Sequence, residues 1–201
     1  LSPIYYSTKS TPQAVWEQSD QVGLRIFACT LTNPCQSALC PACRTRKQDE
    51  ISKSNLSLFG NFPIEHVYFL TVLFPIQPNP HITVPAIIQQ QRQTLQKLIY
   101  KARRSDRTFN DVVISGAFEI DIKCKDCITH STSKSLLQQL GMSFRTDASN
   151  AFLVHVHALV YSAGLSQQAI RKVFSDHYGI KRQVLLKKLY ANQSLSENIT
   201  H

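Results

Sequence analysis

The sequence contains little glycine, few acidic residues and no long hydrophobic run. Only 6 of the 201 residues are glycine and 43% are hydrophobic, which is typical of a globular chain and argues against disorder. The longest apolar stretches, such as HVYFLTVLF at residues 66–74, are far shorter than the roughly 20 residues of a membrane-spanning helix. No basic and then apolar leader opens the sequence, so we expect neither secretion nor membrane insertion.

The shortage of acidic residues leaves the protein strongly positive. The 13 Asp and Glu are outnumbered by 22 Lys and Arg, which gives a net charge of +9. Such a balance favours an acidic partner, and nucleic acid is the commonest one. The basic residues that we expect to contact DNA phosphates form clusters: Arg44, Arg46 and Lys47; Lys101, Arg103, Arg104 and Arg107; Lys181, Arg182, Lys187 and Lys188.

Six cysteines without a secretory leader point to a reducing compartment, and therefore to thiols or a metal site. In CPAC, two residues separate the thiolates of Cys40 and Cys43, a spacing that lets both reach one tetrahedral zinc ion. Two ligand sets are open: a local set completed by Cys29 and Cys35, and a distant set completed by Cys124 and Cys127. Either set would close all four positions, so the zinc would be structural.

The pattern of elements after residue 62 predicts an α+β fold. Strands are expected at 66–74, 111–123, 151–161 and 180–190, and helices at 83–104 and from Ser166 to a stop at Gly179. This β-α-β-β-α-β order is the ferredoxin-like one, an antiparallel sheet with helices on one face, in which the first and third strands are central. A long polar insertion separates the second and third strands.

The first 62 residues are expected to form a separate N-terminal segment. It would contain a helix from Thr11, the zinc knuckle and a second helix beginning near Arg44. Residues 63–201 would then form the main domain.

Two histidines lie one residue apart in AFLVHVHALVY. Side chains alternate along a strand, so His155 and His157 share one face, and two buried imidazoles each need a partner. Glu119 and Asp121 share a face of the preceding strand, and either carboxylate is a candidate third ligand. Such a set suits a divalent ion such as Mg²⁺ or Mn²⁺. The alternative is that the carboxylates are solvated and the histidines are core residues.

Four segments, in this order, resemble the HUH superfamily of single-strand DNA endonucleases. They are the cysteine stretch CQSALCPACRTRK, the strand FLTVLFP with Thr71, the strand GAFEIDIK and the HVH pair. The resemblance implies a ferredoxin-like nuclease domain, Glu119 as the acidic metal ligand and Thr71 near DNA. It also implies a tyrosine that attacks a phosphodiester with help from the metal, giving a 5′-phosphotyrosine link and a free 3′-hydroxyl.

The partners implied by this resemblance are single-stranded DNA, with or without a hairpin, and a helicase or replication machinery. The family includes rolling-circle replication initiators, relaxases and transposases. We therefore expect the protein in the cytoplasm, or in the nucleus if it belongs to a eukaryotic mobile element.

The nucleophile is the feature in which the sequence departs from the resemblance. Tyr178 is expected in the core, whereas Tyr190, beside Lys187 and Lys188, is the better-exposed candidate. The resemblance implies a tyrosine on a helix after the last strand, and SLSENITH is typical of the start of such a helix. We therefore expect the nucleophile to follow His201, so that these residues bind metal and DNA without nicking.

Two other functions fit the same residues. One is a zinc-containing module that binds single-stranded nucleic acid without catalysis. The other is a metal-dependent hydrolase that uses His155, His157 and Asp121 on a small phosphate ester.

Overall fold

The computed structural model describes residues 29–30, 32–35, 40–76, 80–124, 128–144, 150–190 and 192–199. The elements within them are α1 (Pro41–Phe59), β1 (Val67–Leu73), α2 (Pro80–Ser105), β2 (Val113–Cys124), α3 (Ser131–Gln139), β3 (Asn150–Tyr161), α4 (Gln167–Ser175), β4 (Val184–Lys188) and α5 (Leu195–Ile199). None of the described helices combines the length and the apolar character needed to span a bilayer. The helix predicted from Thr11 lies outside the described residues.

The four strands form one antiparallel sheet in the order β2-β3-β1-β4. The chain is therefore of mixed α and β structure, and β1 and β3 occupy the centre of the sheet. β3 pairs along its whole length with β2, from Cys124 opposite Asn150 to Val113 opposite Tyr161. This pairing fixes which residues of the two strands share a row, and it decides the geometry of the candidate site.

One face of the sheet carries the larger core. Alternate residues of the two central strands, among them Leu70, Val72, Val154 and Val156, are buried against α2 and α4. In α4, Ile170 and Phe174 lie four residues apart on the buried face. The Ser166 hydroxyl caps this helix by accepting a hydrogen bond from the Ala169 N–H at 3.2 Å.

The opposite face, which we call the histidine face, is covered at its two ends by the helices that the structure describes. At one end, Phe59 of α1 is buried with Val67 and Leu159, and Leu195 of α5 packs against them. At the other end, α3 residues are buried with Leu153 of β3. The expectation that helices cover one face only is therefore wrong, because apolar residues of β1 and β3 at both ends of this face also need burial.

Several boundaries differ from the sequence-based expectation, most of all in the last predicted helix and strand. α4 ends at Ser175 and not at Gly179, and the last strand is limited to Val184–Lys188. α3 was missed inside the polar insertion because it is short and only its C-terminal part, around Leu137, is apolar enough to be buried. The terminal helix α5 begins after Ser194, whose hydroxyl accepts from the Glu197 N–H while its own N–H donates to the Glu197 carboxylate, a capping box.

The predicted division at residue 62 falls between α1 and β1. Asn55 of α1 accepts a hydrogen bond from the Ser115 hydroxyl of β2 at 3.1 Å, and Phe59 is fully buried in the sheet cluster. The C-terminal half of α1 thus packs directly on the sheet.

Candidate metal centre

The histidine face brings together three of the four predicted metal ligands. β3 places His155 and His157 two residues apart, and the register sets Glu119 opposite His155. The Glu119 Oε2 atom lies 3.5 Å from Nε2 of His155 and 3.9 Å from Nε2 of His157. The ligand atoms of all three residues lie within 4.8 Å of one another, so they could hold one metal ion.

The charge states of these groups suit a cation. The hydrogen bond with His155, followed by the charges of both imidazoles, holds the pKa of Glu119 below its ordinary value. Burial is the main cause that lowers the pKa of His157, so this imidazole is neutral at neutral pH and has a lone pair available. An anionic carboxylate and a neutral imidazole are the forms that coordinate metals.

His155 behaves differently because it is closer to the carboxylates. Burial lowers its pKa, but the hydrogen bond with Glu119 and the charges of Asp121 and Glu119 outweigh burial and raise it above its ordinary value. Without a metal, a proton on His155 therefore partly balances the charge of Glu119. Metal binding would displace that proton.

The orientation of His157 is fixed by two residues of β1. The Thr71 Oγ1 atom lies 2.9 Å from Nδ1 of His157, and the ring of Phe69 stacks on the imidazole with 5.1 Å between centroids. If Nδ1 carries the proton and donates to Thr71, the lone pair of Nε2 is directed toward Glu119 and an ion. Thr71, predicted as a DNA contact, thus supports a candidate metal ligand, a role that sequence reasoning missed. The signal that could have revealed this role is the pairing of Thr71 with His157 across β1 and β3, which depends on the strand register.

The close approach of β2 to β3 depends on Gly116. A Cβ atom there would lie 2.4 Å from the carbonyl oxygen of His157 and 2.5 Å from the Cβ of Ala158. Glycine is therefore required in this row, and it lets the strand that carries Glu119 lie against the strand that carries the histidines.

Asp121, the alternative third ligand, has another partner. It pairs with Leu153, two residues before His155 on the same face, and its carboxylate lies 2.6 Å from the Lys123 ammonium. Burial raises its pKa, but the hydrogen bond and charge of Lys123 lower it by more. The geometry thus favours Glu119 as the ligand.

The second candidate site is the cysteine cluster at the start of α1. The Sγ atoms of Cys29, Cys35, Cys40 and Cys43 all lie within 4.8 Å of one another, so these four thiols could hold a zinc ion. Cys43 Sγ is 3.4 Å from that of Cys29 and 3.6 Å from that of Cys35. Of the two predicted ligand sets, the local one is therefore assembled. Cys127 and the side chain of Cys124, which belong to the distant set, lie outside what the structure describes.

One thiol of the cluster is already disposed to ionise. The backbone N–H of Cys43 donates to Cys40 Sγ and, with smaller help from the other thiols, lowers the pKa of Cys40 to about 7. For Cys29, the backbone N–H of Cys35 lowers the pKa, but the thiol of Cys43, burial and the other thiols together raise it to about 12. Four thiols this close cannot all ionise without a cation among them, and zinc would supply that cation.

The two candidate tyrosines lie away from the metal centre. Tyr178 is buried in the core of the opposite face, where its hydroxyl donates to Gln91 at 3.0 Å and burial raises its pKa to about 12. Tyr190 is 69% exposed and follows β4. Thr71 pairs with Leu185, so Tyr190 lies five residues along the chain from the Thr71 row and two residues beyond the end of β4.

The predicted DNA-contacting residues are not gathered on one surface. Lys187 pairs with Phe69 and so lies on the histidine face, whereas Lys188 pairs with Tyr68 and lies on the opposite one. Lys181 and Arg182 are exposed in the turn before β4, and Arg46 lies on α1. The side chains of Arg44 and Lys47 fall outside the described part. The largest group, Lys101, Arg103, Arg104 and Arg107, is exposed at and just after the end of α2.

No protein-family model matches the chain, and neither a curated protein nor a solved structure is significantly similar to it.

Proposed function

We propose that the chain supplies the metal-binding residues of an HUH-type endonuclease that nicks and rejoins single-stranded DNA in rolling-circle replication or transposition. The observation that carries the proposal is the position of Glu119, whose Oε2 atom lies 3.5 Å and 3.9 Å from the Nε2 atoms of His155 and His157. Two imidazoles and one carboxylate leave coordination positions for substrate oxygens, as a Mg²⁺ or Mn²⁺ site that acts on phosphate esters requires.

The architecture is consistent with this proposal. The strand order β2-β3-β1-β4, with α2 and α4 against one face, fits a ferredoxin-like domain into which α3 is inserted between β2 and β3. The candidate ligands come from β2 and from the central strand β3, between the two apolar clusters of the histidine face. Between these clusters the side chains of His157 and Glu119 are 29% and 54% exposed, which leaves them accessible to a phosphate.

Each residue of the centre has a definite part in the proposed reaction. When bound, a divalent ion supplies Lewis-acid polarisation of the phosphate. Glu119 is anionic and His157 neutral at working pH, Thr71 holds the orientation of His157, and exposed Lys187 adds positive charge on the same face. The net charge of +9 attracts the polyanionic strand. Zinc on the four cysteines would stabilise the start of α1.

The second candidate is a zinc-containing module that binds single strands without cutting them. The observation that favours it is the placement of the tyrosines, because Tyr178 is buried on the other face and Tyr190 lies beyond the end of β4, five residues along the chain from the row of Thr71 and His157. Neither can attack a phosphate at the centre without a large movement. In the leading proposal, the nucleophile is therefore a tyrosine other than these two.

The deciding experiment incubates the complete gene product with single-stranded oligonucleotides, with and without Mn²⁺. We expect a Mn²⁺-dependent covalent protein–DNA adduct that is lost in His157→Ala and retained in His177→Ala, an exposed histidine outside the centre. If binding is strong but indifferent to Mn²⁺ and to His157→Ala, and no adduct forms on any strand, the non-catalytic module is the correct function.

A further inference from the structure

A basic surface lies on α2, on the side of the sheet away from the histidines. No acidic residue occurs between residues 66 and 105, whereas α2 alone contains Arg92, Lys97, Lys101, Arg103 and Arg104. The first acid beyond it, Asp106, is engaged by the N–H and hydroxyl of Thr108 at 2.9 Å and 2.6 Å. These neutral donors keep Asp106 ionised, so one negative charge lies beside the five positive charges of α2 and the surface remains net positive.

An exposed aromatic ring lies among these basic side chains. Tyr100 is 63% exposed, although large apolar surface is normally buried. The Arg104 guanidinium carbon lies 5.9 Å from the ring centroid, a cation–π contact that holds both groups at the surface. An exposed aromatic ring among basic side chains is an arrangement by which proteins bind single-stranded nucleic acid.

Two surface clefts share Tyr100. One, of about 320 Å³, is lined by Lys101, Arg104 and Ser105 in addition to the tyrosine. The other, of about 430 Å³, extends past Arg103 to Ile114 on the edge strand β2. Arg103 is held beside this cleft because it donates to the carbonyl oxygens of Phe109 at 3.4 Å and Val112 at 3.1 Å. A guanidinium that is already fixed loses little entropy when it binds a phosphate.

We propose that this surface, made of Tyr100, Lys101, Arg103 and Arg104, binds a segment of single-stranded nucleic acid, with one base stacked on Tyr100 and neighbouring phosphates on the basic side chains. Stacking on an exposed ring needs an unpaired base, and this requirement selects a single strand over a duplex. The proposal takes its partner from the proposed function but does not depend on cleavage.

This surface is separate from the metal centre. Ile99, next to Tyr100, packs on the core of the opposite face, and Ile114 lies five residues along β2 from Glu119, about 17 Å along the sheet. One nucleotide cannot touch both places. The α2 surface would therefore hold a different part of the strand from the one at the histidines.

The test measures the anisotropy of a fluorescein-labelled oligo(dT) of 20 nucleotides with the zinc-loaded chain and no added Mn²⁺. Tyr100→Ala should weaken binding about tenfold, because the lost stacking is worth about 1.4 kcal/mol. Tyr100→Phe keeps the ring and should bind like the wild type. Arg104→Ala should reduce the slope of log affinity against log salt by about 0.7, a change that Tyr100→Ala should not produce. Leu58→Ala, which removes an exposed apolar side chain on α1, is the matched control and should have no effect.

Three results would overturn the proposal: equal affinity of Tyr100→Ala and wild type, an equal loss by Tyr100→Ala on duplex DNA, or displacement of the oligonucleotide by poly-glutamate as readily as by unlabelled oligo(dT). The proposed function fails differently. If no substrate is cleaved, the nuclease is rejected. A Tyr100 effect on binding that persists in His157→Ala would then still support the α2 surface.

Discussion

The cysteine cluster and the histidine centre are two candidate metal sites built in opposite ways. The four thiols come from one short stretch, residues 29–43, and would surround their ion completely. Glu119 and His155 belong to different strands and meet only through the pairing of β2 with β3. The first arrangement suits structural stabilisation of the chain around its ion, and the second leaves positions for a substrate. Four ligands from one short stretch can surround an ion completely. Ligands on paired strands lie on one side of the ion and leave its other side open.

Breaking the cysteine cluster should have the largest effect. We expect Cys29→Ser to abolish binding of zinc, because three thiolates remain, and apparent binding energies of structural zinc are on the order of 10 kcal/mol or more. The four cysteines should no longer be held together, while the sheet, whose clusters contain no cysteine among the described residues, keeps its cooperative transition. Zinc content per chain and thermal unfolding would be measured.

Cys124→Ser is the control for this prediction, because Cys124 belongs only to the distant ligand set. It should retain one zinc per chain. The opposite result, with zinc lost in Cys124→Ser and kept in Cys29→Ser, would show that the distant set is the true one.

Breaking the histidine centre should remove its metal and leave the zinc in place. We expect His157→Ala and Glu119→Gln each to weaken Mn²⁺ binding at least about 100-fold, since each removes one of three ligands. Asp121→Asn is the matched control for Glu119→Gln and should change affinity only slightly, because the Asp121 carboxylate is paired with Lys123. Calorimetric titration of zinc-loaded protein with Mn²⁺ would measure both. A larger loss in Asp121→Asn than in Glu119→Gln would exchange the roles of the two carboxylates.

A smaller change tests what fixes the orientation of His157 in the histidine centre. Thr71→Val preserves the volume but removes the oxygen that lies 2.9 Å from Nδ1 of His157. Outer-shell partners of this kind are typically worth 10- to 100-fold in metal affinity, so we expect a loss in that range, with Thr71→Ser close to wild type. The zinc content should be unchanged in both variants. If Thr71→Val binds Mn²⁺ as the wild type does, Thr71 does not position His157.

The smallest expected effect is on stability as a function of pH, measured without Mn²⁺. The pKa of Glu119 is lowered from 4.5 by its hydrogen bond with His155, so its contribution is present above about pH 4.5 and is lost as the pH falls through the folded value. The pKa of His155 is raised from 6.5 by Glu119 and Asp121 against the effect of burial, so its contribution is full below about pH 6.5 and is lost as the pH rises through the folded value.

The two contributions overlap between about pH 4.5 and 6.5, and there wild type should exceed His155→Gln in stability by the largest margin. The margin should be small because Glu119 is more than half exposed. His157, whose pKa is lowered mainly by burial, opposes the trend but is present in both proteins. Urea unfolding at several pH values would measure the margin, and a margin that grows above pH 7 would contradict the pairing of His155 with Glu119.

Much of the histidine centre could be predicted because it follows from the period of a strand. Alternation alone set His155 and His157 on one face and put Glu119 and Asp121 on one face of their own strand. It could not choose between the two carboxylates, because that choice depends on which residue of β2 lies opposite His155. It also could not reveal Thr71, which reaches His157 only because β1 is the other neighbour of β3.

The helices, too, could be predicted only where the pattern is local. α2 and α4 were predicted because their apolar residues recur at helical spacing, a local property. α3 was missed because few of its residues are apolar, and its burial depends on the distant Leu153 and Ile76. The prediction of helices on one face failed for the same reason, since the cover at both ends of the histidine face comes from distant segments.

The sequence by itself determined the strands and main helices, the positive charge, the knuckle of two cysteines and the shared face of the two histidines. All of these are properties of neighbours along the chain, where spacing and period are sufficient. Only the tertiary structure decided that Glu119 and not Asp121 meets the imidazoles, that the local cysteines come together, and that Tyr178 and Tyr190 lie away from the centre. Strand register and packing between distant segments set those distances, because a shift of one residue in pairing would turn each side chain to the other face.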